Sequence, residues 1–178
     1  AIAVPEAHGG VGLGMAEIVP VVEQMGRNLM ASPFVSTSIA IQALTAGASD
    51  EQQSEWLPRL ASGAVGTLAL AEAHGDWNLA HINATAMADG DRLILSGTKH
   101  FVLWADRADV VAVSVTYEGE PALVLLDKEA IAAGPLRREA IIDETKRSFA
   151  LMLDGISVPM TALLPPEKAV MALAHIEQ

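Results

Sequence analysis

Ser49-Asp50-Glu51-Gln52-Gln53-Ser54-Glu55-Trp56-Leu57-Pro58-Arg59-Leu60-Ala61-Ser62-Gly63-Ala64-Val65-Gly66-Thr67-Leu68-Ala69-Leu70-Ala71 carries the chain from one periodicity to another. Ser49 and Gln52 form a capping box: the serine hydroxyl covers the Gln52 amide while the glutamine side chain reaches back to Ser49. Trp56, Leu57 and Leu60 then follow at helical spacing as far as Ser62-Gly63. After Gly66 the period becomes strand-like, and Thr67 to Ala71 reads as a short strand.

The residues before this switch are helical. Met15, Ile18, Val19, Val22 and Met25 fall on one face of a helix that Gly26 is placed to end. Ser32-Pro33 sets an N-cap hydroxyl before a proline and opens a second helix, which runs through Ile39, Ile41 and Leu44 to Gly47. The residues after the switch alternate. Asn83 to Met87 and Arg92 to Gly97 flank the turn Ala88-Asp89-Gly90-Asp91, and Val110 to Thr116, Ala122 to Leu126 and Phe149 to Leu153 add three further strands. Short strands joined by tight turns predict an antiparallel sheet, not a parallel nucleotide-binding one. Pro159, Pro165 and Pro166 end the β region, and Glu167 to Glu177 opens a last helix.

Composition narrows the class. In 178 residues, a hydrophobic fraction of 51% and a mean hydropathy of +0.34 supply a sizeable core. Apolar runs such as Ala122 to Leu126 fall far short of the ~20 residues of a membrane span, and the opening residues carry no basic signal-peptide start. A cytoplasmic location is expected. A formal charge of -11 disfavours nucleic acid and anionic membrane as partners. With no cysteine there is no thiolate ligand or nucleophile, and no histidine has a partner at metal-ligand spacing, so no metal site is predicted. Ala1 to Pro5 starts inside an apolar segment and residues 169–173 stop within a helical pattern, so the chain reads as a piece of a longer one.

The loop Pro5-Glu6-Ala7-His8-Gly9-Gly10-Val11-Gly12-Leu13 has neither GxGxxG spacing nor a P-loop lysine, so it is not a phosphate cradle. It resembles the Pro-Glu-x-x-Gly-Gly-x-Gly signature of the acyl-CoA dehydrogenases. The helix pair through Gly63, Leu68 to Asn78, Leu95 to Leu103, Asp143 to Arg147 and Asp154 to Pro159 resemble further markers of that family in the same order.

This resemblance implies an α+β fold: a helical N-terminal segment (residues 1–66), an antiparallel β-barrel or sandwich middle domain (67–160), and the start of a C-terminal helical bundle (161–178) whose remainder is missing. It implies FAD-dependent α,β-dehydrogenation of an acyl-CoA thioester, in fatty acid or sterol side-chain β-oxidation. A homo- or hetero-oligomer is implied, with electron-transfer flavoprotein as the acceptor of its electrons. The family's base is a glutamate of the C-terminal domain, so no catalytic residue is assigned here, and Glu177 reads as a solvent-facing helix residue.

The positions matching the family's flavin-contacting segments are Leu68, Leu70, Ala71, Phe101, Val102 and Leu103, and Trp77 matches a serine that contacts the acyl-CoA. At Ala71 and Leu103 the family carries hydroxyls that contact the flavin; both are absent. Each lost hydrogen bond is worth ~0.5–1.5 kcal/mol, so a weakened FAD site is expected. The alternative implied is a partner subunit of a heteromeric acyl-CoA dehydrogenase that binds no flavin of its own. Phe101 either covers the flavin or fills the sheet core. Arg137-Arg138 and Lys146-Arg147 either meet cofactor phosphates or lie in solvated turns.

Overall fold

The structure, a computed structural model, describes residues 2–75, 81–169 and 172. Three helices come first: α1 (Met15–Arg27), α2 (Phe34–Gly47) and α3 (Asp50–Ala61). The predicted box on α3 is present, with the Gln52 amide 3.2 Å from Ser49 Oγ and the Ser49 amide 2.9 Å from Gln52 Oε1. The Gln52 side-chain amide also reaches the carbonyls of Thr161 and Leu163, fastening the start of α3 to the far end of the β region.

Two helix-end expectations are corrected. The first helix passes through Gly26 and ends at Asn28, because Asn28 satisfies the Gln24 carbonyl with both its backbone and side-chain nitrogens. Only Ile18 of the predicted apolar stripe on α1 is buried. The second helix starts at Phe34, whose amide lies 3.3 Å from Ser32 Oγ.

The strands are β1 (Gly66–Ala69), β2 (Thr85–Asp89), β3 (Arg92–Ser96), β4 (Thr98–Leu103), β5 (Val110–Tyr117), β6 (Glu120–Asp127), β7 (Leu136–Arg138), β8 (Ser148–Met152) and β9 (Ser157–Pro159), with a short helix α4 (Lys128–Ala133) after β6. One sheet runs β1-β5-β2-β3-β9, with β6 also on β5, and a second runs β4-β8-β7. Most pairs are antiparallel, as expected, but β1 and β2 both run parallel to β5. Parallel neighbours cannot be joined by a tight turn, and here β2, β3 and β4 intervene between β1 and β5, and β3 and β4 between β2 and β5.

The central pair β5 and β6 is buried on both faces. Val110, Ala112, Leu123 and Leu125 pack toward the helices with Leu44, Leu57 and Leu60. Val111, Val113, Val115, Val124 and Leu126 pack toward the second sheet with Val102, Phe149 and Leu151. Helices, large sheet and small sheet therefore form three layers. The last helix predicted from Glu167 begins at 166, and its continuation falls largely outside the described residues. At Gly47 a Cβ would stand 2.5 Å from the Ala172 Cβ, which shows how closely that helix crosses α2. Among the described residues, no helix is long and apolar enough to cross a membrane.

Candidate functional site

The two segments singled out in the sequence meet where β1 leaves the large sheet. The His100 amide donates to the Ala71 carbonyl at 2.8 Å, a direct tie between them. Beneath this tie lies an ion pair that joins the same two segments. Lys99 is fully buried, and its Nζ donates to Glu72 Oε1 at 2.7 Å, Ser114 Oγ at 2.9 Å and the Leu70 carbonyl at 3.4 Å. Three acceptors match the three protons of an ammonium group.

Glu72 takes further donors from the Asn83 and Ala84 amides, at 3.0 Å each, and His74 Nε2 lies 3.3 Å away. Burial pushes its carboxyl pKa up, but the Lys99 ammonium and the two amides outweigh that and hold it at about 2. Burial pulls Lys99 below its ordinary range, against the pull of Glu72. The short bonds and the acceptor set identify a carboxylate facing an ammonium. Glu72 and Lys99 lie 27 residues apart and face each other, not a ligand, so no motif marks them as a pair in the sequence.

The individual positions separate by chemistry. Leu68 and Leu70 lean on the helical core, and Val102 is buried in the β core, so only their backbone groups can face a ligand. Ala71 ends the first segment, and the amides of Ala71, Glu72 and Ala73 donate to no acceptor among the described residues. Phe101 is 56% exposed, with φ at 55°, and of its two readings the sheet-core one is overturned. Trp77 lies outside the described residues.

Leu103 and Trp104 line a cavity of about 650 Å³ together with Val22 and Met25 of α1, Ile39 of α2 and Lys146. Of the basic pairs, Arg138, Lys146 and Arg147 meet partners within the chain. Arg137 and Arg138 lie in β7, so the solvated-turn reading fails for them. The Arg138 guanidinium stacks over Phe149 at 5.4 Å, and Arg147 is paired with Asp106. His100, solitary by sequence spacing, lies 2.8 Å from Glu139.

Helices followed by a mainly antiparallel sheet, with the 70–73 and 99–103 segments joined through Glu72 and Lys99, form the α+β arrangement of the acyl-CoA dehydrogenase fold. A family model for the acyl-CoA dehydrogenase N-terminal domain matches residues 1–64. The chain is 31% identical to the acyl-CoA dehydrogenase FadE12 of Mycobacterium tuberculosis over 94% of its own length and 46% of that protein. It is 30% identical to the mitochondrial isovaleryl-CoA dehydrogenase of Bos taurus over 63% of its length and 27% of that protein.

Among solved structures, it superposes with a TM-score of 0.67 on a glutaryl-CoA dehydrogenase from Mycobacterium smegmatis in complex with FADH2, at 28% identity, covering 75% of this chain and 35% of that one. An acyl-CoA dehydrogenase complexed with FAD from Bacillus anthracis has a TM-score of 0.84 at 24% identity over 98% of this chain and 31% of that one, a likeness of fold. The chain belongs to the acyl-CoA dehydrogenase family. It spans about half the length of the first curated relatives it matches.

Proposed function

We propose that the protein containing this chain is a cytoplasmic, oligomeric, FAD-dependent acyl-CoA dehydrogenase of fatty acid or sterol side-chain β-oxidation, passing its electrons to electron-transfer flavoprotein. We divide the chain into the end of the helical N-terminal domain (1–66), the middle β-domain (67–160) and the start of the C-terminal helical domain (161–178). The observation that carries the functional reading is the junction of Ala71 with His100 over the buried Glu72 and Lys99 pair.

FAD fits this junction through backbone groups. The amides of Ala71, Glu72 and Ala73, which meet no acceptor among the described residues, are donors for the oxygens and nitrogens of a ring edge, and Phe101, next in sequence to His100, offers an exposed aromatic face. Bound there, FAD supplies a hydride acceptor for the β-hydrogen of an acyl-CoA. Backbone groups of Leu68, Leu70, Val102 and Leu103 complete the flavin-facing set. Apolar side chains from α1, α2 and Leu103 line the 650 Å³ cavity and suit it to an acyl chain. Trp77 sits in sequence where the family places an acyl-CoA contact. The α-proton is taken by a base outside these residues.

Ala71 and Leu103 favour a second reading, a partner subunit of a heteromeric enzyme without its own flavin, since neither side chain can hydrogen bond the ring. The test is the flavin absorbance of the full-length protein, purified alone and co-expressed with a neighbouring subunit. Acyl-CoA oxidation is followed with an artificial electron acceptor. One FAD per chain and turnover alone support the first reading, and flavin and turnover only in the complex support the second. No flavin and no turnover in either preparation overturns both.

A further inference from the structure

Phe101 is held in an unusual way. The ladder between β4 and β8 changes register between Lys99 and Val102, so His100 and Phe101 form a bulge. A bulge leaves amides without ladder partners, and here both find acceptors elsewhere. His100 donates to Ala71, and Phe101 donates to Glu139 Oε2 at 2.8 Å. Glu139 follows β7, and only 10% of its side chain is exposed. The same oxygen accepts the Ser148 hydroxyl at 2.9 Å, and the other faces His100 Nδ1 at 2.8 Å.

A carboxylate is an acceptor only, and three donors converge on this one. Burial raises its pKa, but His100, Phe101 and Ser148 together hold it below the ordinary carboxylate range. Phe101 cannot hold its own conformation. A bulky residue at φ of 55° is a strained outlier, and phenylalanine has no polar side chain to offset it locally. The strained backbone nevertheless turns the ring outward, 56% exposed, on the residue that follows His100, whose amide is tied to Ala71.

We propose that Glu139 is a positioning residue: by binding the Phe101 amide and the His100 ring it fixes the bulge, and so presents the Phe101 ring as a stacking face for a planar aromatic ligand bound beside Ala71. That the ligand is FAD rests on the function proposed above; the clamp itself does not.

The test uses the full-length protein with Glu139→Gln, Phe101→Gly and the double variant. Glutamine is nearly isosteric but places an amide donor among three donors. Hydrogen exchange in a peptide spanning 99–104 is expected to quicken about tenfold in Glu139→Gln, the size of one lost hydrogen bond, while peptides from β5 and β6 stay unchanged. Glycine adopts positive φ without strain, so the melting-temperature loss from Glu139→Gln is expected to be smaller in the Phe101→Gly background. This comparison still decides if Glu139→Gln alone proves too unstable for exchange: equal losses in both backgrounds, or unchanged exchange at 99–104, overturn the clamp.

The ligand is tested separately with FAD as the probe. Phe101→Leu alters the visible circular dichroism of bound flavin, Glu139→Gln alters it in the same sense, and the pair together adds nothing further. Additive changes overturn the stacking role. Absence of flavin from every preparation overturns that role as well, while the exchange and melting results still decide the clamp.

Discussion

Lys99 Nζ lies 2.7 Å from Glu72 Oε1, and these two residues, 27 positions apart, are buried where the β1 exit and β4 touch. Glu72 also takes the amides of Asn83 and Ala84, so it fastens both ends of the connection 73–82. Lys99 in turn takes up the Leu70 carbonyl. Two charges at the base of the junction thereby set the positions of the groups above it.

Removing one partner should be costly, and the two removals should differ. Lys99→Met leaves Glu72 with its two backbone donors. Glu72→Leu leaves a buried ammonium and also strips the Asn83 and Ala84 amides of their acceptor. Breaking a buried pair costs ~3–5 kcal/mol, and each orphaned amide adds ~1–3 kcal/mol. Guanidinium unfolding of the full-length protein should therefore show a lower midpoint for Glu72→Leu than for Lys99→Met. The reverse order would contradict this account of the pair.

Acid should loosen the same region within a defined window. The folded-state pKa of Glu72 is depressed from 4.5 to about 2. The unfolded chain therefore binds the proton more readily, and the stabilisation is complete above about pH 4.5 and lost as the pH falls toward 2. The size is on the order of 2–3 kcal/mol, trimmed by the opposing cost of burying Lys99. Glu139, shifted in the same direction, acts in the same sense. Melting temperatures recorded between pH 7 and 2.5 should fall most steeply below 4.5, and Glu72→Gln should flatten that fall.

Gly97 tests how tightly the β3 to β4 corner is built. Its φ is +116°, and a Cβ there would stand 2.9 Å from the Ala84 Cα. Gly97→Ala would push Ala84, whose amide binds Glu72, away from the pair. Strain and overpacking together should cost roughly 2–4 kcal/mol. Gly90, at φ +62° with nothing nearby, should tolerate alanine at about 1 kcal/mol. Comparable melting-temperature losses at the two positions would show that contact with Ala84 does not matter.

The helices were legible because their signals are local: the Ser49 and Gln52 box spans four residues, and both its hydrogen bonds are present. So were the hairpin around Gly90 and the apolar runs of β5 and β6. The strand β4 was not, because its bulge puts buried Lys99 and Val102 three residues apart and breaks the alternation that reveals a strand. Three-residue β7 has two arginines in place of an apolar pattern. Parallel pairing of β1 with β5 depends on a long connection that no turn motif announces. Ala71 and Leu103 stood out by motif, whereas Glu139 is 38 residues from Phe101 and has no spacing to betray it.

The last prediction concerns those two motif positions. Ala71 is the first of three residues whose amides meet no acceptor among the described residues, and Leu103 ends β4 and lines the cavity. Neither side chain can donate or accept a hydrogen bond, so a flavin bound at this junction is held at these positions by backbone amides alone. Introducing threonine at both positions adds two hydroxyls beside the ring edge without changing the strand pattern, since threonine is a good strand residue. If each contributes about 1 kcal/mol, with some of the gain lost to side-chain ordering, FAD affinity should rise by roughly tenfold. Titration of the flavin-free full-length protein with FAD, for the unchanged chain and for Ala71→Thr with Leu103→Thr, measures this directly. Equal affinity in the two proteins would mean that the ring edge does not lie against these residues, and the junction would have to be abandoned as the flavin-facing surface.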